Sequence, residues 1–169
     1  PKNRWGYFPA AGAAWRISEE DFLSENTTIS NLKLRLNYGV AGNQNGISDF
    51  AYRGQWSAGL GYPDAGTAEL PGTAPFQLAN PDLRWEKTSQ LNLGIDLGLF
   101  NDRVSAEINL YKKYTSDALL QIAVPNYTGF RSYLSNFGQI SNRGLELSIN
   151  SDNIRKEDFK WSTSFNISR

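Results

Sequence analysis

Between Leu32 and Val40 the chain alternates without a break: Leu32, Leu34, Leu36, Tyr38 and Val40 are apolar, with Lys33, Arg35, Asn37 and Gly39 between them. Successive side chains of a strand point to opposite faces, so this period predicts a strand with one apolar and one strongly polar face. The pattern recurs five times. About Pro9 to Ile17, the residues Ala11, Ala13, Trp15 and Ile17 oppose Gly12, Ala14 and Arg16. Around Asn92 to Gly98, Leu91, Leu93, Ile95, Leu97 and Leu99 oppose Gln90, Asn92, Gly94, Asp96 and Gly98. After a tight turn at Asn101 and Asp102, Val104, Ala106, Ile108 and Leu110 resume the apolar row against Ser105, Glu107, Asn109 and Tyr111. Two strands joined so closely predict a hairpin. Leu145, Leu147 and Ile149 alternate with Glu146, Ser148 and Asn150. Phe159, Trp161, Thr163, Phe165 and Ile167 alternate with Lys160, Ser162, Ser164 and Asn166. Strands of this kind belong either to the rim of a soluble sheet or to the wall of an outer-membrane barrel.

The connectors separate these readings. Residues 41–89 and 115–143 are expected to be long loops, beginning after Val40 with the turn-forming run Gly42-Asn43-Gln44-Asn45-Gly46. Connections beyond ~15 residues are uncommon in compact soluble domains. If strands alternate in direction, both long loops leave one side of the sheet. The shorter connectors at 18–30, 100–102 and 151–158 leave the other, which is the asymmetry of an outer-membrane barrel. Ser18 to Leu23 suits a helical turn, with Ser18 as cap and Asp21 three residues on, and suits a plain connector equally. Phe50, Tyr52, Trp56, Ala58, Leu60 and Tyr62 have some strand character. One further crossing would break the parity, so they are read as loop, or as a hairpin outside the membrane.

Composition narrows the chemistry. The chain has 17 basic and 17 acidic residues and no His, Cys or Met. Disulfides, thiol chemistry, a histidine-based triad and the usual zinc ligand sets are therefore excluded. No basic field for nucleic acid is present, and no glycine-rich loop with a phosphate-binding lysine occurs. No apolar run approaches the ~18 residues of a membrane helix. No catalytic, metal or cofactor site is expected, and the protein is not expected to be an enzyme. Both ends look cut from a longer chain, and six strands fall short of the ~8 needed to close a membrane barrel.

Several segments then carry a family resemblance. They are Asn3-Arg4-Trp5-Gly6-Tyr7-Phe8-Pro9 running to Trp15-Arg16-Ile17-Ser18, and Leu32-Lys33-Leu34-Arg35 running to Tyr38-Gly39-Val40-Ala41-Gly42-Asn43-Gln44. Asn80-Pro81-Asp82-Leu83-Arg84-Trp85-Glu86 and Tyr111-Lys112-Lys113-Tyr114 follow in order, then Asn136-Phe137-Gly138 and Asn142-Arg143-Gly144-Leu145-Glu146. In this series the chain resembles the C-terminal barrel segment of SusC/RagA transporters, TonB-dependent outer-membrane proteins of Bacteroidetes. The resemblance implies an all-β fold, an antiparallel transmembrane β-barrel of 22 strands, of which about six would lie here. The plug domain and final strands would be absent. It also implies import of oligosaccharides or peptides beneath a SusD-like surface lipoprotein, driven through TonB by way of the missing N-terminal part. The partners implied are thus the rest of the transporter, outer-membrane lipid, the lipoprotein, TonB and the substrate. A glycan- or protein-binding β-rich surface module without transport is the competing function.

Two sets of residues are candidates for contact. Arg16, Lys33, Arg35, Asp96, Glu107, Glu146 and Lys160 share the polar face, which is either an ordinary solvated face or a lumen. Tyr52, Trp56, Tyr62, Phe76, Tyr127, Phe130 and Tyr133, with Phe137, suit stacking on sugar rings or on a protein lid. Packing of the loops onto one another would use the same residues. Asp49, Asp64, Glu69 and Asp82 are too scattered for a calcium loop. Trp5, Tyr7, Trp15, Tyr38, Trp85, Tyr114 and Trp161 lie near strand ends, where a membrane-interface girdle is expected. Tyr111 has the lumen parity and suits that role poorly.

Overall fold

A computed structural model describes residues 3, 5–23, 25–63 and 69–169, so Arg4 of the first motif and Asp64 of the acidic set lie outside the described residues. The strands are β1 (Ala10–Arg16), β2 (Ile29–Asn43), β3 (Gln55–Pro63), β4 (Glu69–Gln77), β5 (Glu86–Leu99), β6 (Val104–Ala123), β7 (Ser132–Arg155) and β8 (Lys160–Ser168). Six of them form one sheet in the order β1-β2-β5-β6-β7-β8, while β3 and β4 pair only with each other. The six are the six read from the alternation.

The segment around Tyr52 to Tyr62 does hold a strand, and the parity survives because β3 returns at once through β4. Pro71 and Pro75 give β4 two positions without an N–H, which suits an edge and not the middle of a wall. Gly59, at φ +85°, forms the irregularity between Ala58 and Leu60 and bends the pair where an L side chain would be strained.

Registers keep like faces together. Ala14 pairs with Arg35 and Arg16 with Lys33 on the polar side, while Trp15 pairs with Leu34 on the apolar side. At the other edge Leu147 meets Ile167 and Ile149 meets Phe165. Ser148 meets Asn166 and Asn150 meets Ser164 on the polar side.

Strand ends differ from the sequence expectation. β6 and β7 cover 115–123 and 132–143, where loop was expected, and only 124–131 stand outside strand. Pairing also runs into the turn-forming residues 42–43, starts β5 at Glu86, and carries β7 to Arg155. Backbone ladders need no apolar period. In these stretches polar groups support them, as where the hydroxyls of Thr88 and Thr115 meet at 2.9 Å. The turn after β1 is a 3₁₀ turn over Ile17–Glu19, and no side chain caps it, so Ser18 sits inside it and not at its start. Arg16 pairs with Glu19 there, and the Trp15 indole donates to Glu20 at 2.8 Å.

The β5–β6 turn places Phe100, Asn101 and Asp102 at φ between +56° and +59°. The left-handed region is costly for such residues. It is held because the Phe100 N–H reaches the Thr28 carbonyl at 2.8 Å and the Asp102 N–H reaches the Ser30 hydroxyl at 3.0 Å.

The chain divides into two compact units. One comprises 1–7, 42–88 and 115–140, and the other 8–41, 89–114 and 141–169. Among the described residues, the buried hydrophobic side chains are Ala51, Leu83 and Ala118, all in the first unit. In the second unit the apolar row is bare: Leu36 is 49%, Leu91 46% and Phe165 55% exposed. A soluble antiparallel sheet turns its apolar face onto a core. This face has none within the described residues, and lipid is the medium it fits. Both edges, β1 and β8, have a single neighbour in the sheet. Unpaired backbone is not tolerated in hydrocarbon, so such a wall needs further strands on each side.

Candidate functional site: wall face and loop cavity

In the second unit the polar face converges on Arg35 of β2. Its Nε donates to Asp96 Oδ2 at 2.8 Å and its Nη2 to Asp96 Oδ1 at 2.6 Å, a two-pronged pair with β5. The same Nη2 reaches Glu107 Oε1 at 2.8 Å and Asn109 Oδ1 at 3.3 Å on β6. One guanidinium thus bridges three adjacent strands, a geometry that lysine, with a single ammonium, does not reproduce. Gly94 makes the room. A Cβ there would stand 2.9 Å from the Arg35 Cζ and 3.0 Å from Asn109 Oδ1. Two carboxylates against one cation leave this patch acidic. Beside it Glu107, Asn109, Glu146 and Ser148 line a polar recess with Asn166. Of the predicted polar-face residues, the structure therefore joins Arg35, Asp96 and Glu107 directly and places Glu146 next to them.

The first unit holds the predicted loop aromatics and divides them. Phe76 on β4, Phe130 in the 124–131 connection and Tyr133 on β7 line one cavity of about 670 Å³. Gln77, Gln121 and Arg131 supply polar groups to the same cavity. Tyr52 lines a separate cavity of about 230 Å³ with Asp49, Leu83 and Trp85. Its ring lies 5.3 Å from the Arg53 guanidinium, whose Nε also donates to the Tyr52 hydroxyl at 2.9 Å. Trp56 and Tyr127 are exposed and line neither cavity, and Phe137 is exposed on β7. The backbone of Tyr62 pairs with Leu70 in the β3–β4 hairpin, and its side chain lies outside the described set. Gln77, Gln121 and Arg131 were not singled out from the sequence. They come from β4, β6 and a connection, and no local pattern links them.

Two motifs hold this unit in place. Asn136 donates through Nδ2 to the carbonyls of Arg84 and Asp117, both at 2.7 Å, and accepts from the Arg84 N–H at 2.9 Å. Asn80 donates to the Leu134 carbonyl at 2.9 Å, and its Oδ1 takes the Asp82 N–H at 3.2 Å. Glu86 accepts from Asn43 Nδ2 at 2.7 Å and from the Leu119 N–H at 2.8 Å. Buried Leu83 sits between Asn80 and Arg84, inside the same motif. Near the hairpin, the Gln77 amide serves the carbonyls of Ala51 at 2.7 Å and Arg53 at 3.0 Å. Of the groups tied in this way, Gln77, Ala51 and Leu134 line the aromatic cavity, and Leu83 and Arg84 line the smaller one.

Residues 1–169 match, along their whole length, the family described as TonB dependent receptor-like, beta-barrel. Among curated relatives, a TonB-dependent receptor of Formosa agariphila is 44% identical over 99% of this chain and 16% of the relative. The TonB-dependent receptor SusC of Bacteroides thetaiotaomicron is 38% identical over 98% of this chain and 17% of the relative. The chain therefore spans about a sixth of the length of these proteins. Among solved structures, the RagAB peptide transporter superposes with a TM-score of 0.85 at 31% identity, covering 99% of this chain and 18% of that one. The RagAB peptide importer in its open-open state gives 0.83 at the same identity and coverage.

Proposed function

The chain belongs to the TonB-dependent receptor-like β-barrel family, and on that premise we propose that its parent imports large nutrients, oligosaccharides or peptides, across the outer membrane. The observation that carries this reading is the pairing of a bare apolar face with a charged, cross-linked polar face on one set of strands. A wall between lipid and an aqueous lumen needs both. A surface-binding module working alone would instead leave the apolar face and both sheet edges exposed to water, where they would drive aggregation.

Within the parent, the long connections face outward and the 100–103 turn faces the periplasm. The cavity lined by Phe76, Phe130 and Tyr133 contacts substrate or a SusD-like lipoprotein lid. Flat rings beside amide and guanidinium groups suit hydroxyl-bearing sugars and peptide backbones alike. The similarity to the RagAB peptide transporter supports the peptide class, and the similarity to SusC supports membership of the same receptor family. Opening a plugged barrel takes work, and the proposed source is the inner-membrane proton gradient, delivered by TonB to a part of the parent outside this chain.

Uptake of labelled oligosaccharides and peptides by whole cells, with the parent gene present, deleted, or present in a strain lacking TonB, tests this reading. Uptake of at least one class should need both genes. Uptake unchanged by the deletion across a broad panel would overturn it.

A further inference from the structure

In the first unit the 124–131 connection is a fixed turn that ends on Arg131. Residues Asn126–Thr128 form a 3₁₀ turn, closed by the Gly129 N–H on the Asn126 carbonyl at 3.1 Å. The Thr128 hydroxyl donates to the Pro125 carbonyl at 2.8 Å and accepts the Phe130 N–H at 3.3 Å. At the base, the Val124 N–H meets the Arg131 carbonyl at 3.1 Å. Gly129 stands at φ +80°, and a Cβ there would lie 3.5 Å from the Pro75 ring, so the turn rests against β4. The backbone carrying Phe130 and Arg131 is therefore set before any ligand arrives, which lowers the ordering cost of binding.

Both residues line the aromatic cavity of about 670 Å³ together with Phe76 and Tyr133. Arg131 is exposed and joins none of the described ion pairs. No carboxylate stands among the described lining residues. The wall thus carries a positive charge with no counter-charge, flanked by flat apolar rings. Water serves the guanidinium meanwhile, so it stays open to a ligand at little cost. A planar fork of N–H donors is matched best by a carboxylate, which it can hold through two parallel hydrogen bonds.

Two glutamines of the same cavity say what carries that carboxylate. Gln121 accepts the Ser132 hydroxyl on Oε1 at 2.9 Å, which leaves its Nε2 as a donor. Gln77 spends Nε2 on the Ala51 and Arg53 carbonyls, which leaves its Oε1 as an acceptor. One donor amide and one acceptor amide match the C=O and N–H of a peptide unit. A sugar hydroxyl is donor and acceptor at once, and groups with one kind of capacity left serve it poorly. The rings of Phe76, Phe130 and Tyr133 then suit an apolar side chain beside the acid. A cavity of this volume holds a short stretch of peptide.

We infer that this cavity is a carboxylate subsite for peptides. Arg131 binds a peptide carboxylate, Gln77 and Gln121 bind the adjoining peptide unit, and the rings cover a neighbouring apolar residue. The carboxylate belongs to an acidic side chain or to the C-terminus. The inference rests on the transport reading and adds to it a preference for charge.

Whole cells carrying the full-length transporter supply the test, with short synthetic peptides containing phenylalanine as probes. The sets differ only in their carboxylates: glutamate with a free C-terminus, glutamate with an amidated one, glutamine with a free one, and glutamine with an amidated one. All are offered together, and depletion from the medium is read by mass spectrometry, so each ratio is internal to one culture. Carboxylate-bearing peptides should be taken up about five- to tenfold faster than the fully amidated set. The two sets with a single carboxylate separate side chain from C-terminus as its source. Arg131→Gln should erase the preference, Arg131→Lys should keep part of it, and Arg131→Glu should turn it toward a lysine-bearing set. A wild type indifferent to carboxylates, or a preference unchanged in Arg131→Gln, would overturn the inference. So would import of a uronate oligosaccharide in place of every peptide, or variants that slow all sets alike, as loss of a lid contact would. Peptide uptake that survives deletion of the parent gene would sink the transport reading. Uptake that needs the gene but ignores charge sinks only the subsite.

Discussion

Asn136 pairs with Arg84 as a strand neighbour would, its side-chain amide accepting the Arg84 N–H at 2.9 Å and donating to the Arg84 carbonyl at 2.7 Å. A side chain thereby takes over the hydrogen bonds of a missing strand, in a segment that leads from buried Leu83 into β5. The same amide holds the Asp117 carbonyl at 2.7 Å, where β6 passes through φ +58°. Arg84 and Asp117 also form an ion pair at 2.9 Å, half exposed on the arginine side and so of secondary weight.

Replacing Asn136 should therefore loosen the framework locally. Asn136→Ala hands the Arg84 N–H and two carbonyls to water, at a cost of about 0.5–1.5 kcal/mol. Hydrogen exchange on the full-length protein should show faster exchange at Arg84, with Leu119, held by Glu86, less affected. Exchange unchanged at Arg84 would refute the clamp.

The Arg35 bridge makes a paired prediction. Arg35→Ala removes the cation between Asp96 and Glu107, and Gly94→Ala pushes a methyl into the guanidinium from the other side. Both should lower the Tm of the detergent-solubilised transporter, Arg35→Ala by the equivalent of about 1.5–3 kcal/mol. Arg35→Lys should recover only part, because one ammonium does not span both carboxylates. A neutral Gly94→Ala would show that the side chains over it yield freely.

Tyr111 and Gly144 test a close approach between β6 and β7. A Cβ at residue 144 would lie 2.7 Å from the Tyr111 ring and 2.8 Å from the Arg169 carbonyl oxygen. Gly144→Ala should reduce the folded yield, and adding Tyr111→Ala should restore it only partly, because the carbonyl clash remains. Full recovery in the double variant would place the whole conflict on the ring.

The aromatic cavity separates residues that look alike in sequence. Phe130→Ala and Tyr133→Ala, which open the cavity wall, should raise the apparent KM for uptake roughly tenfold, a typical loss for one stacked ring. Trp56→Ala, outside both cavities, should leave it within a factor of two to three. An effect confined to Trp56 would move the contact surface to the exposed side of the β3–β4 hairpin.

The amino-acid sequence by itself determined which residues share a face. Lys33, Arg35, Asp96 and Glu107 on one side and Leu34, Leu36, Leu93 and Ile108 on the other follow from a period of two, which any strand imposes. It also established the six wall strands and the parity that keeps the segment around Trp56 out of the sheet. The tertiary structure decided where the strands end and who meets whom. β6 and β7 continue through polar residues because a neighbouring backbone is present to pair with, and periodicity carries no record of that neighbour. Arg35 finds Asp96 and Glu107 across 61 and 72 positions of chain, and Asn136 finds Arg84 across 52. Partner choice at such separations depends on register, and register is fixed only when whole strands align.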